Sequence, residues 1–152
     1  MYPNYSDALI ARILRSVKTI AMVGASPNEV RPSFFAMKYL TEKGFKVIPV
    51  NPTAVGQEIL GQKVYAKVSD LPAPVDMVDI FRKSEDAGAI CDEAIEIGAK
   101  SVWLQLRVID EEAAARAEAA GLKVVMDRCP AIDMPRLGMG PPNPWKPKRA
   151  AA

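Results

Sequence analysis

The 152-residue sequence contains no histidine, so it lacks the commonest general base and metal ligand at neutral pH. Two cysteines, Cys91 and Cys129, are too few for a disulfide framework or a zinc site, which indicates a reducing cytoplasm. A net charge of +2 gives no basic surface for nucleic acid. No apolar stretch approaches the roughly 18 residues that span a membrane, and the first residues do not resemble a signal peptide. The sequence therefore predicts a cytoplasmic protein without metal, nucleic-acid or membrane partners.

The composition is that of one globular domain. Apolar residues make up 49% and charged residues 25% of the chain, and the length allows a substantial core. From residue 138 onward, four prolines interrupt a segment without apolar periodicity. We predict a domain over residues 1–137 and a proline-rich tail over residues 138–152.

Short apolar runs alternate with helical patterns along the domain. Helices are expected within 6–17, 31–45, 84–98 and 110–121, with Ser6 and Ser84 as caps and Gly44 ending the second. Strands are expected within 18–24, 45–52, 75–81, 101–106 and 122–126, with a brief additional one around Val64 and Tyr65. This alternation predicts a three-layer α/β fold with a mostly parallel sheet of five or six strands and the first strand central.

The loops that follow the strands contain several arginines. In an open α/β sheet, ligands bind beyond the carboxyl ends of the strands. The arginines expected at this edge are Arg31, Arg82, Arg107 and Arg128. Together they favour a compact ligand with several negative charges, although arginines in loops also commonly pair with nearby acids.

The turn after the first strand resembles half of a dinucleotide fingerprint. It contains Gly24 alone where such a fingerprint has three glycines, followed by Ser26 and a helix start that offers amides to a phosphate. NAD enzymes usually end the second strand with an acid that binds the ribose diol, and here Asn51 and Pro52 stand in that place. The turn thus indicates a phosphate site but not an ordinary NAD site.

Other reactive or aromatic residues fit structural roles better than functional ones. Cys91 lies on the apolar face of its helix and Trp103 alternates with buried strand positions, so both are expected in the core. Asp79 is expected to accept hydrogen bonds from loop amides, and no catalytic residue is predicted. For Cys129 both a structural and a functional role are left open, because it lies in a loop just past a strand.

Several segments together resemble a known family. "VGASP", "RPS", "VIPVNP", "GQKVY", "VDMVDIFR", "WLQL" and "VVMDRCP" occur in the order and spacing of small stand-alone CoA-binding proteins. These are similar to the CoA-binding domain of the succinyl-CoA synthetase α subunit and of ADP-forming acyl-CoA synthetases. The resemblance covers roughly residues 10–135 and implies a Rossmann-like fold with coenzyme A, or an acyl-CoA, at the carboxyl edge.

The resemblance also implies where the ligand lies. The turn from Gly24 to Pro27 would contact the phosphates, and Asn51 and Pro52 would lie under the adenosine. The segment 81–83 would pass beside the nucleotide and the pantetheine arm. The full predicted set is Gly24, Ala25, Ser26, Pro27, Arg31, Asn51, Pro52, Phe81, Arg82, Lys83, Gln105 and Cys129. A valine at position 24 is expected to block the pyrophosphate with little loss of fold.

Two positions depart from the family pattern. Thr53 replaces a frequent lysine, which is expected to weaken the phosphate site. Arg107 replaces a common glycine, which is expected to narrow the cleft or to add a charge partner. Cys129 is expected to pair with the CoA thiol, with Arg128 favouring its thiolate.

The function expected from this resemblance is binding of CoA or acyl-CoA by a carrier, a sensor or a partner of an acyl-CoA enzyme. The alternative is a nucleotide-dependent NAD(P) oxidoreductase or another small enzyme. A chain without histidine cannot run the phosphohistidine relay of the resembled synthetases. A third possibility is an interaction module that has lost its ligand, against which the intact edge motifs argue.

Overall fold

The structure is a computed structural model that describes residues 4–139. The elements in chain order are α1 (Asp7–Ser16), β1 (Thr19–Val23), α2 (Pro32–Glu42), β2 (Lys46–Val50), β3 (Glu58–Ile59), β4 (Gln62–Lys63), a 3-10 helix (Val68–Asp70), β5 (Met77–Ile80), α3 (Ser84–Glu96), β6 (Ser101–Leu104), α4 (Glu111–Ala119), β7 (Lys123–Val125) and α5 (Pro130–Arg136). No helix within this range is long and apolar enough to cross a membrane.

The main sheet has five parallel strands in the order β2-β1-β5-β6-β7. This confirms the predicted parallel α/β architecture and its Rossmann-like character. The strands are almost continuously buried, as expected where helices cover both faces. The first strand lies inside the sheet but is not its centre, because β5 occupies the middle position.

Two apolar cores cover the two faces of the sheet. Along β1, alternate side chains go to opposite faces, so Ala21 joins one core and Met22 the other. Helices α3 and α4 complete the first core, which includes Cys91. Helices α1, α2 and α5 complete the second, which includes Trp103. Cys91 and Trp103 are both fully buried, which confirms their predicted core positions.

The predicted third strand is wrong in detail. Residues Gln62–Lys63 pair antiparallel with Glu58–Ile59 in a separate hairpin. Val64 belongs to no strand, and Tyr65 forms a single parallel bridge to Val50. The hairpin turn places Leu60 and Gly61 at φ 49° and 81°. Turns of this kind are usually recognised by Asn-Gly or Asp-Gly, so a leucine in the first position gives no turn signal in the sequence.

Two further differences concern helices. Ser84 is the first residue of α3 rather than its cap, and Lys83 occupies the cap position. The Ser84 hydroxyl instead accepts the Ile109 N–H at 3.0 Å and donates to the Arg107 carbonyl at 3.3 Å. Helix α5 was not predicted, although Pro130 at its first position is a recognised start signal. Most of the predicted tail, residues 140–152, lies outside the described residues.

Candidate functional site

The loops at the carboxyl edge of the sheet enclose two neighbouring clefts. The first, of about 530 Å³, lies between the ends of β5, β6 and β7 and has mainly apolar walls. We call it the apolar cleft, lined by Pro32, Phe35, Phe81, Arg82, Lys83, Gln105, Leu106, Arg107, Val108, Cys129 and Ile132. The second, of about 400 Å³, is the glycine cleft, lined by Val23, Gly24, Val50, Pro52, Ala66, Lys67, Val68, Arg82, Glu85, Asp86, Ala89, Ile90 and Glu93.

The structure distributes the predicted residues over both clefts. Gly24 and Pro52 line the glycine cleft, whereas Phe81, Lys83, Gln105 and Cys129 line the apolar cleft. Arg82 lines both. The strand order therefore brings together residues that are up to 105 positions apart in the chain.

Gly24 is required by the fold itself. Its φ is 88°, and its N–H donates to the Val50 carbonyl at 2.8 Å. A Cβ atom at this position would lie 2.5 Å from the Phe81 carbonyl oxygen. The expectation that a valine here would spare the fold is therefore wrong, because β1 and β5 end too close together for any side chain.

Asn51 holds the first two loops together. Its Nδ2 donates to the Ala25 carbonyl at 2.9 Å, and its Oδ1 accepts from the Thr53 N–H at 2.9 Å and hydroxyl at 2.8 Å. Ala25 is buried, and its carbonyl already accepts this hydrogen bond from Asn51. Thr53 thus stabilises the conformation of the loop after β2 through Asn51.

The turn before α2 is also internally bonded. The Ser26 N–H donates to the Ser33 hydroxyl at 3.1 Å, and the Ser26 hydroxyl accepts from the Asn28 N–H at 3.1 Å. Pro27 and Arg31 are exposed, and Arg31 precedes α2 without a side-chain cap at that helix end. These bonds hold the turn in one conformation, with Arg31 beside it.

The four predicted arginines do not share one environment. Arg82 forms an exposed ion pair with Asp86 at 3.0 Å, and Arg107 lines the apolar cleft. Arg128 is only 6% exposed, and its guanidinium pairs with buried Asp133 at 3.3 Å. The prediction that Arg128 is a ligand-facing cation is therefore wrong, because α5 folds back and supplies its partner.

A buried carboxyl lies beneath the apolar cleft. Asp79 is fully buried, and its Oδ1 accepts from the Gln105 side-chain amide at 2.9 Å. Its Oδ2 has no hydrogen-bond partner among the described residues. Burial raises the pKa of Asp79 to about 7. The expected hydrogen bond from a loop amide is made by the side chain of Gln105, which begins the loop directly after β6.

Cys129 lies at the wall of the apolar cleft, immediately before α5. Burial, followed by the negative charge of Asp79, raises the pKa of its thiol to about 11. The expectation that Arg128 favours the thiolate is wrong, since desolvation dominates and the guanidinium is paired with Asp133.

Several residues of the site gave no signal in the sequence. Lys67 lines the glycine cleft just before the 3-10 helix, where neither periodicity nor a motif marks it. Phe35, Leu106 and Ile132 line the apolar cleft with 60%, 44% and 50% of their surface exposed. Exposed apolar side chains around one concave surface are typical of a ligand site.

Comparisons with known proteins agree on one group. The family model described as "CoA binding domain" matches residues 18–135. Uncharacterized protein YneT of Bacillus subtilis is 36% identical over 126 residues, covering 83% of this chain and 92% of that protein. A hypothetical protein from Pyrococcus horikoshii OT3 has a solved structure with 41% identity and a TM-score of 0.83, covering 88% and 93% of the two chains.

Part of a larger protein is also similar. Acetate–CoA ligase [ADP-forming] II of Archaeoglobus fulgidus is 32% identical over 103 residues. The match covers 66% of this chain but only 15% of the ligase.

Proposed function

Because this chain belongs to the CoA-binding domain family, we propose that it binds coenzyme A across both clefts, with Arg82 at their junction. The observation that supports this most directly is that Arg82 lines both the glycine cleft and the apolar cleft. CoA has an aromatic base at one end, phosphates between, and a less charged pantetheine arm at the other. The two clefts offer matching environments in that order.

The adenine ring is proposed to lie in the glycine cleft. Apolar side chains line it, among them Val50, Val68 and Ile90, and Pro52 adds another flat surface. Three acids, Glu85, Asp86 and Glu93, also line this cleft and would repel phosphates. A neutral base therefore fits its interior better than a phosphate does.

The phosphates are proposed to lie at the junction of the clefts. Arg82 can donate to them by leaving its exposed pair with Asp86, since such surface pairs contribute little stability. Arg31 and the turn from Gly24 to Pro27 would complete this region. Charged hydrogen bonds of this kind are among the strongest in proteins.

The pantetheine arm is proposed to follow the apolar cleft past Phe81 and Lys83 toward Gln105. The Gln105 amide nitrogen already donates to Asp79 at 2.9 Å. Its carbonyl oxygen is therefore the part that can accept a hydrogen bond from a pantetheine amide. The arm would end beside Cys129.

The proposed role is that of a binding protein, with residues 1–137 as the binding unit: a carrier, a sensor or a partner of an acyl-CoA enzyme. No residue is assigned a catalytic part. A nucleotide-dependent NAD(P) oxidoreductase is the weaker alternative, because β2 is followed by Asn51, whose side-chain oxygen and nitrogen already bond to Thr53 and Ala25.

Titration calorimetry is expected to show tighter binding of CoA than of NAD or ATP. Replacing Arg82 by alanine is expected to weaken CoA binding about tenfold, since a charge-assisted hydrogen bond to a phosphate is lost. Arg116→Ala is the matched control, because Arg116 forms a similarly exposed 3.0 Å pair with Asp92 away from both clefts.

Two outcomes of this titration would contradict the proposal. Tighter binding of NAD than of CoA would support the oxidoreductase instead. Equal losses in the Arg82 and Arg116 variants would place the phosphates elsewhere.

Cys129 is expected to form a mixed disulfide with CoA. Its thiolate would attack CoA disulfide, joining one CoA through a new S–S bond and releasing the other as a thiolate. With its pKa raised to about 11, the reaction should be slow at pH 7 and accelerate about tenfold per pH unit up to pH 9. Intact-mass measurement follows the adduct.

Variants identify the reacting cysteine. Cys91→Ala should retain the adduct, because Cys91 is fully buried in the core behind the sheet. An adduct that persists in Cys129→Ser, or never forms in the natural sequence, would rule out Cys129 as the site.

A further inference from the structure

Arg107 occupies a backbone conformation that favours glycine. Its φ is 69°, and it is the third residue of a turn that the Val108 N–H closes on the Gln105 carbonyl at 2.9 Å. Turns with a positive φ at this position usually contain glycine or asparagine. A larger side chain held in this conformation is strained, and such strain is common at functional sites.

The neighbours of Arg107 hold this turn firmly. The Arg107 N–H donates to Asp127 Oδ1 at 2.7 Å, and its carbonyl accepts from the Ser84 hydroxyl at 3.3 Å. The backbone of Arg107 is thus held by Asp127, in the loop after β7, and by Ser84 of α3. Its side chain lines the apolar cleft.

The charged side chains that line the apolar cleft are all basic. Among the residues that the structure describes, its lining includes Arg82, Lys83 and Arg107 but no carboxylate. Arg82 is paired with Asp86, whereas Lys83 and Arg107 form no ion pair within residues 4–139. An unpaired guanidinium beside apolar walls attracts an anion more strongly than one in open water.

Arg107 lies beyond the region proposed for the phosphates. It follows β6, which is separated from β1 by β5, so the two strand ends are about 10 Å apart at the usual strand spacing. Gly24 follows β1, whereas Gln105 and Cys129 lie on the side of Arg107. A thiol end beside Cys129 would place an attached acyl group next to Arg107.

We propose that Arg107 binds the terminal carboxylate of an acyl group attached to CoA, so that the site prefers dicarboxylic acyl-CoAs to neutral ones. The planar guanidinium can donate two parallel hydrogen bonds to a carboxylate. This inference rests on the proposed binding of CoA. It names the class of acyl group that the apolar cleft accepts.

The test compares acyl-CoAs of equal carbon number by titration calorimetry with the full chain. Malonyl-, succinyl- and glutaryl-CoA are measured against propionyl-, butyryl- and pentanoyl-CoA, with free CoA as reference. At least one dicarboxylic form is expected to bind about tenfold more tightly than its neutral match. In Arg107→Gly this ratio should fall to near one, and Arg107→Lys should retain part of it.

Glycine at position 107 suits the positive φ, so the variant is expected to fold with an equal or higher Tm. This separates loss of the preference from loss of structure. A preference that survives in Arg107→Gly, or that is absent from the natural sequence, overturns the inference. An equal loss for free CoA and all acyl forms overturns it too, because Arg107 then contacts a phosphate. If no form of CoA binds, the proposed function fails and this inference fails with it.

Discussion

Replacing Gly24 by alanine is expected to destabilise the protein by about 2–5 kcal/mol. The positive φ costs roughly 1–2 kcal/mol for a residue with a Cβ atom, and overpacking adds about 1–3 kcal/mol. The overpacking arises because the new Cβ would lie 2.5 Å from the Phe81 carbonyl oxygen and 2.9 Å from its carbon. Both are backbone atoms, which cannot rotate away as a side chain can. Urea unfolding followed by circular dichroism measures the change.

Gly44→Ala is the matched control, because it measures the cost of a positive φ without a steric clash. Gly44 has a φ of 97°, and a Cβ there would meet no atom within 4 Å. Its loss should be about 1–2 kcal/mol, as for the left-handed conformation without a clash. Equal losses in the two variants would show that β1 and β5 can separate, and that the glycine is not needed for their close approach.

The alternation of helices and strands could be predicted because burial imposes a simple pattern. A parallel strand covered on both faces must be apolar along its length, as Ile20–Val23 is. The hairpin of β3 and β4 has no such pattern, since Glu58 and Lys63 are exposed and each strand has two residues. Its short strands and its leucine at positive φ leave nothing for periodicity to detect.

The environments of the arginines could not be predicted from their positions. Arg82 and Arg128 both follow a buried strand, and sequence reasoning treats them alike. They differ because α5 begins two residues after Arg128 and places Asp133 beside its guanidinium at 3.3 Å. Arg82 instead pairs with exposed Asp86 one helical turn ahead. Which arginine is available to a ligand depends on this tertiary packing.

The contact between Asp79 and Gln105 could not be predicted from the sequence for a related reason. The register of β5 and β6 pairs Asp79 with Trp103, so Gln105, two residues further, lies on the same face. Sequence gives the face of each residue but not the register between strands. The register therefore decides that the side-chain amide of Gln105, at the start of the loop after β6, binds this carboxyl.

Replacing Asp79 by asparagine is expected to stabilise the protein at pH 8 by about 2 kcal/mol more than at pH 5. Between these values, the folded carboxyl stays protonated over roughly one to two pH units in which the unfolded carboxyl is ionised, and each unit corresponds to about 1.4 kcal/mol. The pKa of the folded carboxyl is about 7, against a usual value near 3.8. The folded state therefore retains a proton that the unfolded chain has lost between about pH 4 and pH 7. The natural protein loses stability as the pH rises through this window, and asparagine removes that loss.

Asp76→Asn is the control of opposite sign, and Asp76 lies immediately before the same strand, β5. The backbone N–H groups of Lys18 and Thr19 donate to Asp76 Oδ2 at 2.8 Å and 3.2 Å and lower its pKa. Its charged form stabilises the fold above about pH 4, and this is lost as the pH falls through the lowered value. Asp76→Asn should therefore be less stable than the natural protein at pH 8. A stability profile of Asp79→Asn that runs parallel to that of the natural protein from pH 5 to 8 would show that Asp79 is ionised in the fold.

Replacing Asp79 by asparagine should also lower the pKa of the Cys129 thiol. Burial is the main cause of the raised pKa of that thiol, and the charge of Asp79 adds to it. Without that charge, the thiolate forms at a lower pH, so the adduct with CoA disulfide should form faster in Asp79→Asn than in the natural protein at pH 8. An unchanged rate, measured by intact mass beside the stability profile, would mean that Asp79 and Cys129 titrate independently.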